Sequence, residues 1–327
     1  KKIYEIVKRN LPEGYENYTL SLFANQNTIE ELASPYYSGR SGKSTFVPQT
    51  GNKWVSAAEP EFTVTNGLQN SHIAVWQSHG WYYEQKLRRW EWQRARILQT
   101  VEDLYTQSYV VPFLVPMLEN AGAYVVMPRE RDYQSYELIV DNDKFSTSRT
   151  KECGSYSESG NWSDSDVAGF GDAQESYEYQ ENPFTMGTAR KVAAVKENKP
   201  TATATWTTSV DKDGEYAVYV SYQTYANSSE CVNYKVAFEG GEKSFFVNQK
   251  MGGGTWVYLG TFPFKGGKEY FVAMDNATPK GKKYQKLSVV SADAVKIGGG
   301  MGNIARKPSK EIISNMQSAL ASDNTPI

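Results

Sequence analysis

Hydrophobic and polar positions change their period along this chain, and each change marks a segment of different architecture. Near the amino end, IYEIVKRNL and TIEELAS space their apolar residues as helices do, while YTLSLFAN alternates as a strand does. A polar stretch rich in Gly, Ser, Thr and Pro follows at 38–52. Residues 1–65 therefore read as a small α+β appendage. From residue 71 the texture differs: Ile73-Ala74-Val75-Trp76 is a short apolar run with strand propensity, and it stops at the polar Gln77-Ser78-His79-Gly80. Gln93 to Glu119 is helical in period, with Leu98, Val101, Leu104, Leu114 and Leu118 at core positions and Pro112 and Pro116 as breaks or kinks. Ala121-Gly122-Ala123 supplies a glycine at the helix end, and Tyr124-Val125-Val126-Met127 reads as a second buried strand. Strand, helix, strand in that order predicts a parallel crossover, which assigns residues 66–150 to an α/β half-domain.

The pattern is lost in SYSESGNWSDSDVAGFGDAQESYEYQENPF, so residues 151–183 read as a linker. Between 184 and 300 it returns as short alternating runs: TATATWTTSV, EYAVYVSYQTY, NYKVAFEG, EKSFFVNQ, TWVYLGTFPF, EYFVAMDN and LSVVSADAVKI. Turn signals such as DKDGE, EGGEK, MGGGT and KGGKE separate them at the spacing of an antiparallel β-sandwich. Residues 301–327 offer one short helix and a polar tail, expected to return to the α/β part. The fold class predicted is α/β plus all-β, a partial α/β domain with an inserted or appended sandwich.

Composition narrows the function classes. A net charge of −2 over 327 residues, with no long basic block, argues against a dedicated nucleic-acid binder. No apolar run approaches the ~20 residues of a membrane span, and KKIYEIVKRNL lacks a signal-peptide core, so any export signal has been removed or never existed. Cys153 and Cys231 are too few for a disulfide scaffold and are not spaced as a zinc ribbon; their pairing stays open. The aromatic share is the unusual figure, 13% with 23 Tyr and 8 Trp, and suits carbohydrate or protein contact as well as a core.

Residues 71–132 resemble the zinc-dependent N-acetylmuramoyl-L-alanine amidases, which cleave the lactyl-amide bond of peptidoglycan. SHIAVWQSHG is similar to the strand and Pro-Gly-His-Gly loop that supplies the first zinc ligand. VEDLYTQSYVVPFLVPMLENAGAYVV is similar to the helix that opens on the ligand glutamate, and PRERD to the Thr-Arg-x-x-Asp that follows. The resemblance implies a zinc cofactor held by His79 and Glu102. It departs from the family at Ser78, where Gly is usual, and in a helix one residue longer. The β part resembles the golvesin carboxy-terminal-like module, also described as xanthan-lyase carbohydrate-binding-like, with GGGTWVYLGTFPF and VVSADAVKIGGGMGNIAR as its most characteristic runs. The pairing resembles a group of Bacteroidetes proteins labelled xanthan lyase.

A catalytic zinc needs three protein ligands and an open position for water. Besides His79 the chain has one other histidine, His72, seven residues upstream. Seven extended residues span about 23 Å at about 3.3 Å each, far beyond the ~4 Å between two ligands of one ion. His72 cannot share a zinc with His79. The family's third ligand and assisting glutamate lie on later segments without counterpart here, so either the sandwich interrupts an amidase domain whose second half lies outside this chain, or the protein is a degenerate relative. Asp103 competes with Glu102 as the carboxylate; landmark spacing to Gly122 favours Glu102. Arg129, Arg131 and Asp132 fit either contact with a substrate carboxylate or a structural ion pair. Trp81, Tyr82 and Tyr83 fit a sugar-stacking wall or a shield over the sheet end. Period two places Trp256, Tyr258 and Phe262 on one face of their strand and Val257 and Leu259 on the other, so Trp256 and Tyr258 form a glycan platform if the aliphatic face packs inward.

These readings predict a periplasmic or extracellular cell-wall hydrolase of the zinc amidase type, with a glycan-binding module and peptidoglycan or another polysaccharide as partner. One rival is a non-catalytic polysaccharide binder. The other is a polysaccharide lyase, for which the chain shows no constellation of Tyr or His with an Arg or Asn clamp that we would nominate.

Overall fold

A computed structural model describes residues 2–12, 14–15, 18–24, 27–29, 53–58, 67–69, 71–94, 101–132, 134–143, 154–171, 178–196 and 199–301. Residues 1–49 form one unit and residues 50–327 another. In the first, helix α1 (Lys2–Arg9) precedes a two-stranded antiparallel ribbon of β1 (Phe23–Ala24) and β2 (Asn27–Thr28). The Tyr4 hydroxyl accepts a hydrogen bond from the Leu22 amide at 3.2 Å.

The second unit is built on two antiparallel sheets. It begins with β3 (Val55–Ala57), β4 (His72–Ala74), β5 (Trp81–Glu84), β6 (Arg89–Trp92), α2 (Glu102–Tyr109), a π-helical turn (Val110–Leu114), α3 (Val115–Asn120) and β7 (Tyr124–Val126). It continues through β8 (Glu137–Val140), β9 (Gly154–Ser159), β10 (Ser163–Asp164), β11 (Arg190–Ala193), β12 (Thr203–Ser209), β13 (Gly214–Val220), β14 (Val232–Phe238), β15 (Gly241–Val247), β16 (Val257–Phe264), β17 (Glu269–Asp275), β18 (Val289–Ala292) and β19 (Val295–Gly298). The six-stranded sheet runs β3-β15-β14-β17-β12-β9, and the four-stranded sheet runs β16-β13-β19-β8. A smaller sheet, β10-β11-β18, flanks them.

The alternating runs produce the core directly. In β12 the burial alternates residue by residue, with Ala204 and Trp206 turned inward, and Tyr234, Val236, Val272 and Met274 meet them from neighbouring strands. Opposite lie Val218, Val220, Leu259 and Ile297 of the second sheet. LSVVSADAVKI, one run by pattern, is two strands in different sheets. They part at Asp293-Ala294, where the fully buried Asp293 carboxylate accepts from the Phe170 amide and the Ser221 hydroxyl.

The sandwich draws on more of the chain than its expected span of 184–300. β3 joins the edge of β15, β8 pairs with β19, and β9 and β10, from the expected linker, pair with β12 and β11. The linker expectation failed because β9 is an exposed edge strand, GSYSES, whose Tyr156 alone packs inward, against Trp206 at 5.4 Å. Such a strand has no apolar alternation to read.

Between β3 and β8 lies the α/β part. β4 and β7 pair in parallel, His72 opposite Tyr124 and Ala74 opposite Val126, as the strand-helix-strand pattern predicts. The helical segment packs Val115 against Val125, Ile73 and Val75. Pro112 lies inside the π turn, where its missing amide cannot complete the α-helical ladder. The wider turn shifts the buried face, so that Val111 and Val115 are buried while Leu114, expected in the core, is exposed. Gly122, with φ of +96°, closes the helix as expected. β5 and β6 form a hairpin that pattern reading did not separate from its surroundings. Of the other expected features, Leu98, Cys153 and the carboxy-terminal helix lie outside the described residues.

Candidate functional site

β4 delivers the chain into Gln77-Ser78-His79-Gly80, and one side chain organises that loop. Asp103, in the first turn of α2, is fully buried and accepts hydrogen bonds from the Ser78 hydroxyl at 2.5 Å and the Gly80 amide at 2.9 Å. Burial pushes its carboxyl up, but the hydrogen bonds from Ser78, Gly80 and the His79 amide, with the charge of the His79 ring, outweigh it and hold the carboxyl below the ordinary aspartate value. The His79 ring is exposed, edge-on to Trp76 with centroids 6.3 Å apart. Glu102 turns outward and faces Arg94 at 3.8 Å across solvent. The carboxylate on the His79 loop is thus that of Asp103, where spacing pointed to Glu102; a single residue of helix rotates the side chain by about 100°. Among the described residues no three His, Cys, Asp or Glu are grouped as a metal would require. Asp103 Oδ1 is taken by the loop's own donors and its buried Oδ2 has no hydrogen-bond partner, but with no third ligand grouped beside them the described residues do not fit the three-ligand zinc centre that the amidase resemblance implies.

Trp81 and Tyr82 belong to the β5–β6 hairpin. Trp81 packs on Trp92 at 5.0 Å, and the Tyr82 hydroxyl donates to Glu84 at 2.8 Å on the other face. Both side chains remain about two-fifths exposed.

The remaining predicted residues converge elsewhere. The segment after β7, residues 127–132, lies over the outer face of the four-stranded sheet and borders a cleft of about 620 Å³. Arg129, Arg131, Trp256 and Tyr258 all line it; His79 and Glu102 do not. The Arg131 guanidinium stacks on the Tyr258 ring at 4.2 Å and donates to Glu119 at 2.7 Å, while its amide donates to the Tyr219 hydroxyl at 2.7 Å. Asp132 is a strut, taking the Ala217 and Gln134 amides at 2.7 Å each. Lys296, 1% exposed, reaches Glu130 at 3.0 Å between the rings of Tyr219 and Trp256. Burial raises the Glu130 carboxyl, but the Lys296 ammonium, a backbone hydrogen bond and the Arg129 charge together outweigh it and the net shift is downward. Trp256 is braced by Phe170 and Phe184 at 5.0 and 5.4 Å.

Tyr258 and Trp256 lie outward because Val257 and Leu259 face the core, as the platform reading requires. Phe262 does not share their face. The register of β16 against β13 shifts at Val218/Tyr219, leaving Leu259 without a cross-strand partner, and this bulge turns Phe262 and Phe264 inward. Four further aromatic residues, Trp54, Tyr124, Tyr219 and Phe245, edge the cleft that sequence reasoning did not nominate. Tyr124 was visible as a strand residue, and its hydroxyl accepts from the Val55 amide at 2.9 Å. Trp54 donates from Nε1 to the Tyr222 hydroxyl at 2.7 Å; the only signal was its place before the short alternating run that becomes β3.

Residues 147–299 match the family model of the Golvesin C-terminal domain. The match opens just ahead of β9 and closes just after β19, so it includes the segment expected as a linker. No curated protein matches the chain in sequence. Among solved structures, the chain is similar to a Paenibacillus xanthan lyase, at 23% identity over 50% of this chain and 13% of that one, with a TM-score of 0.37. It is also similar to an exo-β-1,3-galactanase from Phanerochaete chrysosporium (14% identity, 43% of this chain, 27% of that one, TM-score 0.27). A carbohydrate-binding module of the β-sandwich superfamily gives 7% identity over 54% of this chain and 63% of that one, with a TM-score of 0.24. The chain thus spans a small part of both enzymes, and scores this low carry neither fold nor activity across.

Proposed function

We propose that this chain binds carbohydrate, and that the cleft between the 127–132 segment and the four-stranded sheet receives the sugar. The observation that carries the reading is the lining itself. Half-buried Trp54, Tyr124, Trp256 and Tyr258 share about 620 Å³ with Arg129, Arg131 and Glu119. Sugar rings present apolar C–H faces and a rim of hydroxyls, so a site for them needs flat apolar rings beside fixed polar groups. The volume falls within the range of about 300–1,000 Å³ usual for small-molecule clefts. The match of residues 147–299 to the Golvesin C-terminal domain supports the same reading, since the sequence resemblance implies a carbohydrate-binding module. Titration of the intact chain with soluble oligosaccharides, followed by tryptophan fluorescence and calorimetry, tests it. Saturable binding that Trp54→Ala or Tyr258→Ala weakens at least tenfold is expected; binding unchanged in both variants would place the site elsewhere.

Amide hydrolysis at zinc is the finer reading raised by the amidase resemblance. The described residues place the Asp103 carboxylate beside His79 but group no third ligand with them, so no hydrolytic step is assigned to them. Stoichiometric zinc by mass spectrometry, together with peptide release from muropeptides, would reinstate it.

A further inference from the structure

We infer that the saccharide held in the cleft carries a carboxylate, and that Arg129 is the group that receives it. This rests on the cleft reading above and adds the charge of the ligand. The cleft is bordered by four charged side chains, of which Glu119 and Arg131 neutralise each other at 2.7 Å and Glu130 is paired with Lys296 at 3.0 Å. Arg129 is left over. Among the described residues no carboxylate lies within ion-pair distance of it; one terminal nitrogen donates to the Trp81 carbonyl at 3.4 Å, and its buried Nε has no hydrogen-bond partner. A guanidinium drawn partly out of water, with a buried donor unspent, is costly until an anion meets it. A planar carboxylate satisfies such a fork through two parallel hydrogen bonds, and a neutral hydroxyl satisfies one donor at most.

The arrangement around Arg129 fixes where that carboxylate arrives. One terminal nitrogen would sit 3.1 Å from a side chain built on Gly80, whose φ is +77°. The guanidinium is therefore held against the His79 loop that Asp103 anchors. A sugar ring stacked on the cleft's aromatic residues would share the cleft with Arg129. Two kinds of sugar have that chemistry: one with the carboxylate on the ring, as in a uronic acid, and one with it on an ether side arm, as in a lactyl sugar.

Calorimetric titrations of the intact chain with galacturonate oligosaccharides and their neutral galactose counterparts, and with N-acetylmuramic and N-acetylglucosamine oligosaccharides, test the inference and separate the two sources. The acidic member of at least one pair is expected to bind about tenfold tighter or more than its neutral partner, as a charge-assisted hydrogen bond would give. Arg129→Gln should bring that ratio to about one, with Arg129→Lys intermediate and thermal unfolding reporting that both variants fold. Equal affinity for acidic and neutral members in the unaltered chain would overturn the inference while leaving the cleft reading in place. A preference that survives Arg129→Gln would also overturn it. Absence of binding by every probe would overturn both.

Discussion

Glu102 and Asp103 are neighbours in the first turn of α2, and one of them is a strut while the other is a surface charge. Asp103 holds the Ser78 hydroxyl and the Gly80 amide from a fully buried position. Asp103→Ala strands those donors, and a loss of about 2–3 kcal/mol in chemical denaturation is expected. Glu102→Ala should change stability by less than about 0.5 kcal/mol, because its ion pair with Arg94 is exposed. The buried aspartates also set opposite pH dependences. The Asp103 carboxyl is held below its ordinary value, so its contribution is present above the unfolded value near 4 and is lost as pH falls through the folded one. At the end of β8, Asp141 is 5% exposed, and burial first, then the charges of Asp293 and Asp143, push its carboxyl up to about 9. The folded state there holds a proton that the unfolded state has released, so stability declines as pH rises from about 4 toward about 9. Asp141→Asn should flatten the fall in melting temperature between pH 5 and pH 8; an unaltered slope would show that another group titrates.

At the scale of elements, β16 shows what the sequence pattern conveyed and where it stopped. Period two separated Val257 and Leu259 from Trp256 and Tyr258 without saying which pair faces the core, and the glycine-rich turns divided the β part into strands. The bulge at Leu259 was not legible, since an extra residue is specified by the cross-strand partner, Val218 and Tyr219 of β13, rather than by the strand that carries it. The same holds for the π turn, whose shift from Leu114 to Val115 appears only when the helix packs on β7. Individual candidate residues in the cleft were legible as Arg129, Arg131, Trp256 and Tyr258. Their convergence was not, because it arises from a chain crossing from β7 onto a sheet formed over a hundred residues later. The bulge yields a sharp contrast between two aromatic residues of one strand. Phe262, stacked on Phe238 at 5.0 Å within the core, should cost about 3–5 kcal/mol when cut to Ala. Tyr258→Ala should cost less in urea denaturation and more in sugar binding, and the reverse ranking would place Tyr258 in the fold's support rather than its site.

For residues 50–327 as a whole, the α/β part is held in place by what it contributes on either side. β3 ahead of it completes one sheet and β8 behind it completes the other, so it is tied at both ends into the same sandwich. Lys296 adds a third tie, from the middle of β19 to Glu130 in the segment that borders the cleft. Its ammonium is almost fully buried, with the Tyr219 and Trp256 rings at 5.0 and 5.2 Å and Glu137 more distant at 4.0 Å from its nitrogen. Breaking such a pair from one side leaves an uncompensated buried charge and typically costs about 3–5 kcal/mol, whereas replacing both partners by neutral groups is often nearly neutral. Lys296→Met should therefore destabilise the protein strongly, and Lys296→Met with Glu130→Gln should recover most of the loss in urea unfolding. Sugar affinity should follow a different course, because Glu130 and Arg131 are adjacent and Gln77 holds the Glu130 carbonyl at 3.0 Å. In the double variant the segment keeps its backbone anchors but loses the charge that fixes its side chains, so stability returns further than affinity does. If the single and double variants are equally unstable, the pair is not what ties the cleft segment to the sandwich, and the backbone bonds from Gln77 and Arg131 carry that role.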